Sequence, residues 1–340
     1  MTADAPNPVL VEVTRGDMVE SRHRVAVAVV DAGGTVAMSA GDIGRAIYPR
    51  SAIKPLQALA FIEAGAADRF GLDLPEIALA CASHSAEPTH VGLVRAWLAR
   101  IGCTAGDLEC GAHAPVDAAA ARALVAAGLE PGQEHNNCSG KHSGFLTLAR
   151  HLGVPTAGYI GIDHPVQRAV RAVLSDMVGL DLAAAPVGID GCGIPQYGIP
   201  LRAVARGMAR LADDGALGGA RRDAARRVRA AMAAHPLLTS GTGRYCKRLT
   251  DVLGARVLVK TGAEGVYAAA LPGRGLGIAL KVDDGAGRAA EVAVAHVLER
   301  LGAIDAPARA ALGDAMTPPV LNVAGRRVGE IRAVADTPLR

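Results

Sequence analysis

Aromatic side chains are scarce in this chain: Phe, Tyr and Trp make up 3% of its 340 residues, with a single Trp. Proteins that bind nucleic acids or polysaccharides stack bases or sugars on rings, so the scarcity argues against both partners. An excess of one charge is missing too. The 36 basic and 33 acidic residues leave a formal net charge of +3 and are interspersed along the whole length, unlike the segregated basic face of a nucleic-acid protein. No apolar run reaches the roughly 18 to 20 residues that span a bilayer, so no membrane segment is expected. The opening stretch MTADAPNPVLVEVTRGDMVESRHR has no basic region followed by an apolar one, which sets the expected location as cytoplasmic. The six cysteines are too sparse for a disulfide scaffold and are expected to stay thiols. Of these, Cys81, Cys103 and Cys110 fall in apolar patterns and read as packing residues.

What is present is apolar content of 50%, enough to bury a large core within a single unit over residues 1–340. Short apolar-polar alternation over residues 9–39, with Val25, Val27 and Val29 on one face and the turn Asp31-Ala32-Gly33-Gly34, predicts a β-hairpin. Helical spacing follows over residues 51–64, where Ile53, Leu56, Leu59, Ala60 and Ile62 form a stripe. Helices are predicted over 89–101, 116–128, 165–177, 201–211 and 221–234, the arginines of the last forming a solvated face. Strand patterns return over 256–260, 265–271 and 277–283 before a last amphipathic helix over 288–301. Strands at both ends with helices between them predict an α/β (α+β) fold. One antiparallel sheet, built from residues 1–70 and 240–340, is expected to be flanked by helices, with a mainly helical part over 71–239.

Chemistry concentrates in a few segments. In Ser51-x-x-Lys54 a spacing of three puts both side chains on one helix face, so a lysine amine can reach a serine hydroxyl and activate it. Taken alone, the pair also reads as a helix-capping serine followed by a solvent-facing lysine. Lys260-Thr261-Gly262, at the end of a predicted strand, supplies the second motif of serine-acylating enzymes, in the same chain order. The Ser-Asp-Asn loop that normally stands between them is missing. Its nearest substitute is Ala82-Ser83-His84-Ser85, whose serines can relay a proton or cap the helix after Pro88.

The segment His135-Asn136-Asn137-Cys138-Ser139-Gly140-Lys141-His142 and the loop Asp190-Gly191-Cys192-Gly193 form a second constellation. Thiols, an amine and imidazoles make either a soft metal site or a pocket for the charged ends of a substrate. No Cys-x-x-Cys or His-x-x-x-His spacing supports the metal, and a ligating lysine must be neutral. Asp190 reads either as a carboxylate for a substrate ammonium or as the head of an Asx-turn.

Six segments in order resemble the Rhizobium-type L-asparaginase family, also described as asparaginase II or class 3 asparaginases. They are SRHRVAVAVVDAGG from Ser21, YPRSAIKPLQALAFIEAGA from Tyr48, CASHSAEPTH from Cys81, NNCSGKHSGFL from Asn136, GIDGCGIPQYGIPL from Gly188 and VLVKTGAEGVYAAALPGRGLGIALKVDDG from Val257. The resemblance implies a serine β-lactamase-like fold, a homodimer, and hydrolysis of L-asparagine to L-aspartate and ammonia. It implies two Ser-Lys pairs, Ser51 with Lys54 and Ser83 with Lys260, the first attacking and the second relaying protons. It further implies zinc at Cys138, Lys141 and Cys192, organising the pocket rather than supplying the attacking water, with Cys246 nearby. Arg50, His142 and Asp190 would hold the substrate's α-carboxylate and α-ammonium. Two other readings stay open: a β-lactamase or penicillin-binding hydrolase sharing Ser51, Lys54 and Lys260, and a non-catalytic zinc- or amino-acid-binding protein.

Overall fold

In the computed structural model of the protein, residues 6–335 and Leu339 are described. They form two compact units. One comprises Met1–Ala52, Ile199–Asp213 and Arg248–Arg340, the other Ile53–Gly198 and Asp214–Lys247.

The first unit holds an eight-stranded antiparallel sheet. Its N-terminal strands are β1 (Val9–Arg15), β2 (Met18–Asp31) and β3 (Val36–Ala40), followed by the short β4 (Ala46–Ile47). The helical unit contributes β5 (Val187–Ile189) and β6 (Pro195–Tyr197), which pair with each other. Then come β7 (Ile199–Pro200), paired with β4, and β8 (Leu258–Gly262), β9 (Val266–Leu271), β10 (Leu276–Val282), β11 (Pro319–Leu321) and β12 (Arg327–Ala333). The main sheet runs β11-β12-β1-β2-β10-β9-β8, with β3 also on β2.

Strand β2 is the hinge of this arrangement. Its first half pairs with β1, and Val25–Asp31 pairs with β10 along a register from Val25↔Val282 to Asp31↔Leu276. Every residue from Val25 to Val30 is buried, so both faces are covered and the simple in-out alternation expected for a hairpin is lost there. Gly277 explains part of the cover: a Cβ there would lie 2.0 Å from Ala205 O, so only glycine lets the helix that carries Ala205 lie directly on β10. Strands β11 and β12 had no clear pattern in the sequence, yet β12 pairs with β1 and extends the sheet.

The second unit is built from α1 (Lys54–Glu63), α2 (Ala66–Arg69), α3 (Leu74–Ala80), α4 (Pro88–Arg100), α5 (Ala118–Ala126), α6 (Ser139–Leu152) and α7 (Pro165–Val178). Helix α8 (Leu201–Ala212) belongs to the sheet unit, whereas α9 (Gly219–Ala234) and α10 (Pro236–Thr239) return to the helical one. Helix α11 (Tyr245–Leu253) leads back to the sheet unit, which α12 (Gly287–Arg300) and α13 (Ala306–Leu312) complete. The division therefore falls at Ala52 rather than near residue 70, because α1 is buried among helices α3, α6, α7 and α9. It also moves residues 199–213 into the sheet part, because α8 packs on β2, β9 and β10.

Helix α1 is buried along its length from Lys54 to Ile62, and Ser139–Ala149 of α6 is buried without a break. A Phe61–Trp97 ring contact with centroids 6.0 Å apart and a 3.0 Å bond from Trp97 Nε1 to Thr147 Oγ1 lock α1, α4 and α6 together. The arginines of α9 correct the solvated-face expectation. Arg221 pairs with Glu63 at 2.6 Å and with Asp176, and Arg227 pairs with Asp68 at 2.7 Å, so this helix is tied to its neighbours by charge. Among the described residues no helix is long and apolar enough to cross a membrane.

Candidate active site

Within the sheet unit, the chain reaches Ser51 through a tight turn. Arg50 has φ 53, in the left-handed region that a side chain disfavours, and Ala52 N donates to Pro49 O at 3.1 Å. Residues Arg50–Ile53 form a 3₁₀ turn, so the predicted helix over 51–64 begins as a tighter one. The end of β8 lies against this turn: a Cβ on Gly262 would meet Pro49 O at 2.7 Å and Ala52 N at 3.2 Å. Glycine at the end of Lys260-Thr261-Gly262 thus lets the strand approach the backbone that carries Ser51. Lys260 is 1% exposed, and its Nζ donates to Thr261 O at 2.8 Å.

The chain has five lysines and buries three of them, Lys54, Lys141 and Lys260. Burying an amine is costly unless partners compensate, so each marks a polar cluster. Lys54 is not the solvent-facing lysine of the capping alternative. Helix α1 takes Ile53 as its N-cap, without a side-chain cap, and Lys54 is 1% exposed. Its Nζ donates to Ala82 O at 2.6 Å and to Ser83 Oγ at 3.1 Å. The family resemblance implies that Lys54 serves Ser51 and Lys260 serves Ser83. The observed Lys54–Ser83 bond therefore joins members of the two expected pairs.

The loop holding Ser83 is fixed on both sides. Ser83 N donates to Thr239 O and His84 N to Asn137 O, each at 3.2 Å. Ala86, with φ 58, donates its N–H to His84 Nδ1 at 3.1 Å, so His84 carries its proton on Nε2. That Nε2–H donates to Ser139 Oγ at 2.8 Å, and Ser139 Oγ donates to Glu134 O at 3.0 Å. His84 is fully buried and stacks on His90 with centroids 5.1 Å apart. Burial, followed by the charge fields of His90 and Lys54, holds it well below the ordinary histidine range, so it stays neutral. Ser85 does not cap the next helix; it donates to Ser240 O at 3.2 Å, and Glu87 is the N-cap of α4.

The second constellation is brought together around the start of α6. Cys138, Lys141 and Cys192 are all buried, and Lys141 Nζ donates to Cys192 Sγ at 2.9 Å. Cys138 Sγ donates to Asn137 Oδ1 at 3.0 Å. Interaction with Cys192 and the charges of Lys54 and Lys141 hold Cys138 well below the ordinary thiol range, whereas Cys192 is pushed up by its interaction with Cys138 and by burial. Burial opposes charge on Lys141, but Cys192, Cys138 and Asp190 outweigh it and keep the amine protonated. Among the described residues no three His, Cys, Asp or Glu side chains cluster as a metal site. The donors that do converge, two thiols and an amine, fit a thiophilic ion once the amine gives up its proton.

Asp190 Oδ1 accepts from Gly191 N at 2.8 Å, and its Oδ2 accepts from Gln196 Nε2 at 3.1 Å. His142 is fully buried on α6, and its Nδ1 lies 2.6 Å from Tyr159 Oη. Its Nε2, also buried, has no hydrogen-bond partner among the described residues. Burial and the charges of Lys141 and Lys54 hold this imidazole well below the ordinary range. The sequence reading missed His84, Ser139, Glu109 and Tyr159 as site residues. His84 and Ser139 lay inside segments already singled out, but no local pattern marked Glu109 or Tyr159.

No curated protein matches the sequence. Among solved structures, the chain is similar to Mglu in its native form in the presence of 4.3M NaCl, at 16% identity and a TM-score of 0.45. That likeness covers 82% of this chain and 61% of the other, so this chain spans about three fifths of that protein's length. A further crystal structure of Mglu gives 16% identity, a TM-score of 0.45 and coverage of 82% and 67%. A β-lactamase from Mycobacterium bovis gives 15% identity, a TM-score of 0.39 and coverage of 82% and 94%. The sequence model of the L-asparaginase II family matches residues 11–333, from β1 through the end of β12. A match of that extent, over every segment holding Ser51, Ser83, Cys138, Asp190 and Lys260, makes the chain a member of the L-asparaginase II family.

Proposed function

We propose that this chain is an amidohydrolase that converts L-asparagine and water to L-aspartate and ammonia through a serine activated by lysine. The observation that carries the reading is Lys54: a buried amine three residues after Ser51, donating at 3.1 Å to the hydroxyl of Ser83, in a chain of this family. Ser51 Oγ attacks the side-chain carbonyl carbon of asparagine while its proton passes to Lys54 Nζ, which has first given up a proton. Return of that proton to the amide nitrogen releases ammonia and leaves an aspartyl ester on Ser51. Water, deprotonated by the same amine, adds to the ester, and collapse frees aspartate and restores the serine. Ser83 relays protons through its bond to Lys54, and Lys260 steadies the serine turn from β8. Arg50 and His142 hold the α-carboxylate, and Asp190 holds the α-ammonium.

Cys138, Cys192 and Lys141 would hold a zinc ion, which supplies a fixed positive charge that orders this wall of the pocket. The working form in this reading is a cytoplasmic homodimer.

Ammonia release from L-asparagine, L-glutamine and D-asparagine, measured side by side, tests the activity, with L-asparagine expected to lead. Rapid turnover of a chromogenic cephalosporin without ammonia from asparagine would favour the penicillin-recognising alternative. Ser51→Ala at the wild-type rate would remove Ser51 as nucleophile. Elemental analysis of protein purified without added zinc, against Cys138→Ala, tests the ion; equal zinc in both takes Cys138 out of the site.

A further inference from the structure

Tyr159 is fully buried, and its hydroxyl sits between two partners: Glu109 N–H donates to it at 3.0 Å, and His142 Nδ1 lies 2.6 Å away. A backbone N–H can only donate, so it fixes one role of the hydroxyl oxygen as acceptor. If His142 also donated from Nδ1, the phenolic hydrogen would be left buried without an acceptor. The arrangement that satisfies all three groups runs Glu109 N–H to Tyr159 Oη, and Tyr159 O–H to His142 Nδ1. The imidazole proton then resides on Nε2, the buried atom with no partner among the described residues.

We propose that Tyr159 is a positioning residue that locks His142 as a neutral Nε2–H donor aimed at the substrate's α-carboxylate. The assignment of the ligand rests on the asparaginase reading; the tautomer does not. The support around Tyr159 is rigid enough for the task. Gly158 N donates to Glu109 Oε1 at 2.6 Å, and Gln167 Nε2 donates to Tyr159 O at 3.0 Å, so side chain and backbone are both anchored. A buried N–H without a partner costs stability in the empty protein, and an anion oxygen that accepts from it recovers that loss on binding. Holding the ring in one tautomer also spares the substrate the cost of selecting it.

Long-range ¹H–¹⁵N correlation spectra of the histidine rings test the tautomer directly. The wild-type protein should show His142 with Nε2 protonated and Nδ1 bare, a result that needs no variant; a protonated Nδ1 overturns the proposal. In Tyr159→Phe, the Nδ1-protonated form should appear and KM for L-asparagine should rise about ten-fold or more, with kcat changing less than about three-fold. An unchanged ring spectrum and unchanged KM in that variant overturn it. The ligand is tested with β-alaninamide, which is asparagine without its α-carboxylate: the effect of Tyr159→Phe on KM should vanish, and an equal effect refutes the carboxylate assignment. In a His142→Gln background, whose amide N–H needs no tautomer to be set, Tyr159→Phe should change KM less than about two-fold. If wild-type protein releases no ammonia from asparagine, the asparaginase reading fails and takes the ligand assignment with it, while the ring spectrum still decides the tautomer.

Discussion

Lys54 Nζ lies 3.1 Å from Ser83 Oγ, 29 residues further along the chain, and this bond ties the Ser51-x-x-Lys54 segment to the loop that precedes α4. Lys54 thereby holds the one serine that folding brings to it, Ser83, and stands three residues after Ser51 in sequence. Its removal should disable activity before it disables the fold. Lys54→Met keeps the apolar stem and removes the buried amine, so ammonia release should fall about 10²- to 10⁴-fold. Removing the amine leaves the buried Ala82 O without that donor, so the Tm should fall by several degrees while the variant still folds. Lys54→Arg should not rescue the rate, because a guanidinium stays protonated and cannot accept the serine's proton. Activity within three-fold of wild type in Lys54→Met would end the role of this amine.

Gly262 is the second place where chemistry depends on close approach. A Cβ there would press on Pro49 O at 2.7 Å and Ala52 N at 3.2 Å, on either side of Ser51. Gly262→Ala should cost about 1 to 3 kcal/mol in urea unfolding and lower kcat more than it raises KM, because the serine itself is displaced. Unfolding and kinetics of the one variant read both effects.

His84 spans the Ser83 loop and the turn that carries Cys138, accepting at Nδ1 and donating at Nε2. Its two bonds can be restored one at a time. His84→Asn offers an oxygen near the Nδ1 position for Ala86 N–H, and His84→Gln offers an N–H near the Nε2 position for Ser139. If the tie to Ser139 matters more, Gln should retain more activity than Asn, and both more than Ala. Equal activity in all three would mean that the ring only fills space.

Glu134 gives a pH test for the same turn. Burial alone would raise this carboxyl, but the 2.6 Å bond from Arg95 outweighs it and holds Glu134 below the ordinary glutamate value. A lowered carboxyl stabilises the fold fully above its unfolded value and loses that contribution as pH falls through the folded one. The difference in urea midpoint between wild type and Arg95→Gln should therefore be constant above about pH 5.5 and shrink toward zero on acidification. Arg95 is 61% exposed, so solvent screening keeps the difference small.

Much of this protein was legible in its sequence because the relevant signals are local. Three-residue spacing marked Ser51 and Lys54, apolar stripes marked the helices, and the runs over 256–260, 265–271 and 277–283 foretold β8, β9 and β10 to within two residues. The family resemblance, built on short ordered segments, is matched over residues 11–333. Strands β11 and β12 escaped because Arg327–Ala333 mixes charged and apolar residues; its strand state comes from pairing with β1 more than 310 positions away, not from its own pattern. The arginines of α9 misled for a related reason, since a helical repeat gives their spacing but not the acidic residues on other helices that they meet.

By itself, then, the sequence determined which residue types could do chemistry and on which elements they would lie. Tertiary structure alone decided their partners. Lys54 donates to Ser83, Lys141 to Cys192, and Tyr159 stands behind His142. Each contact is a buried polar bond closed by chain segments far apart in sequence. A buried donor must find an acceptor somewhere in the packed interior, and periodicity carries no information about which one folding will place beside it.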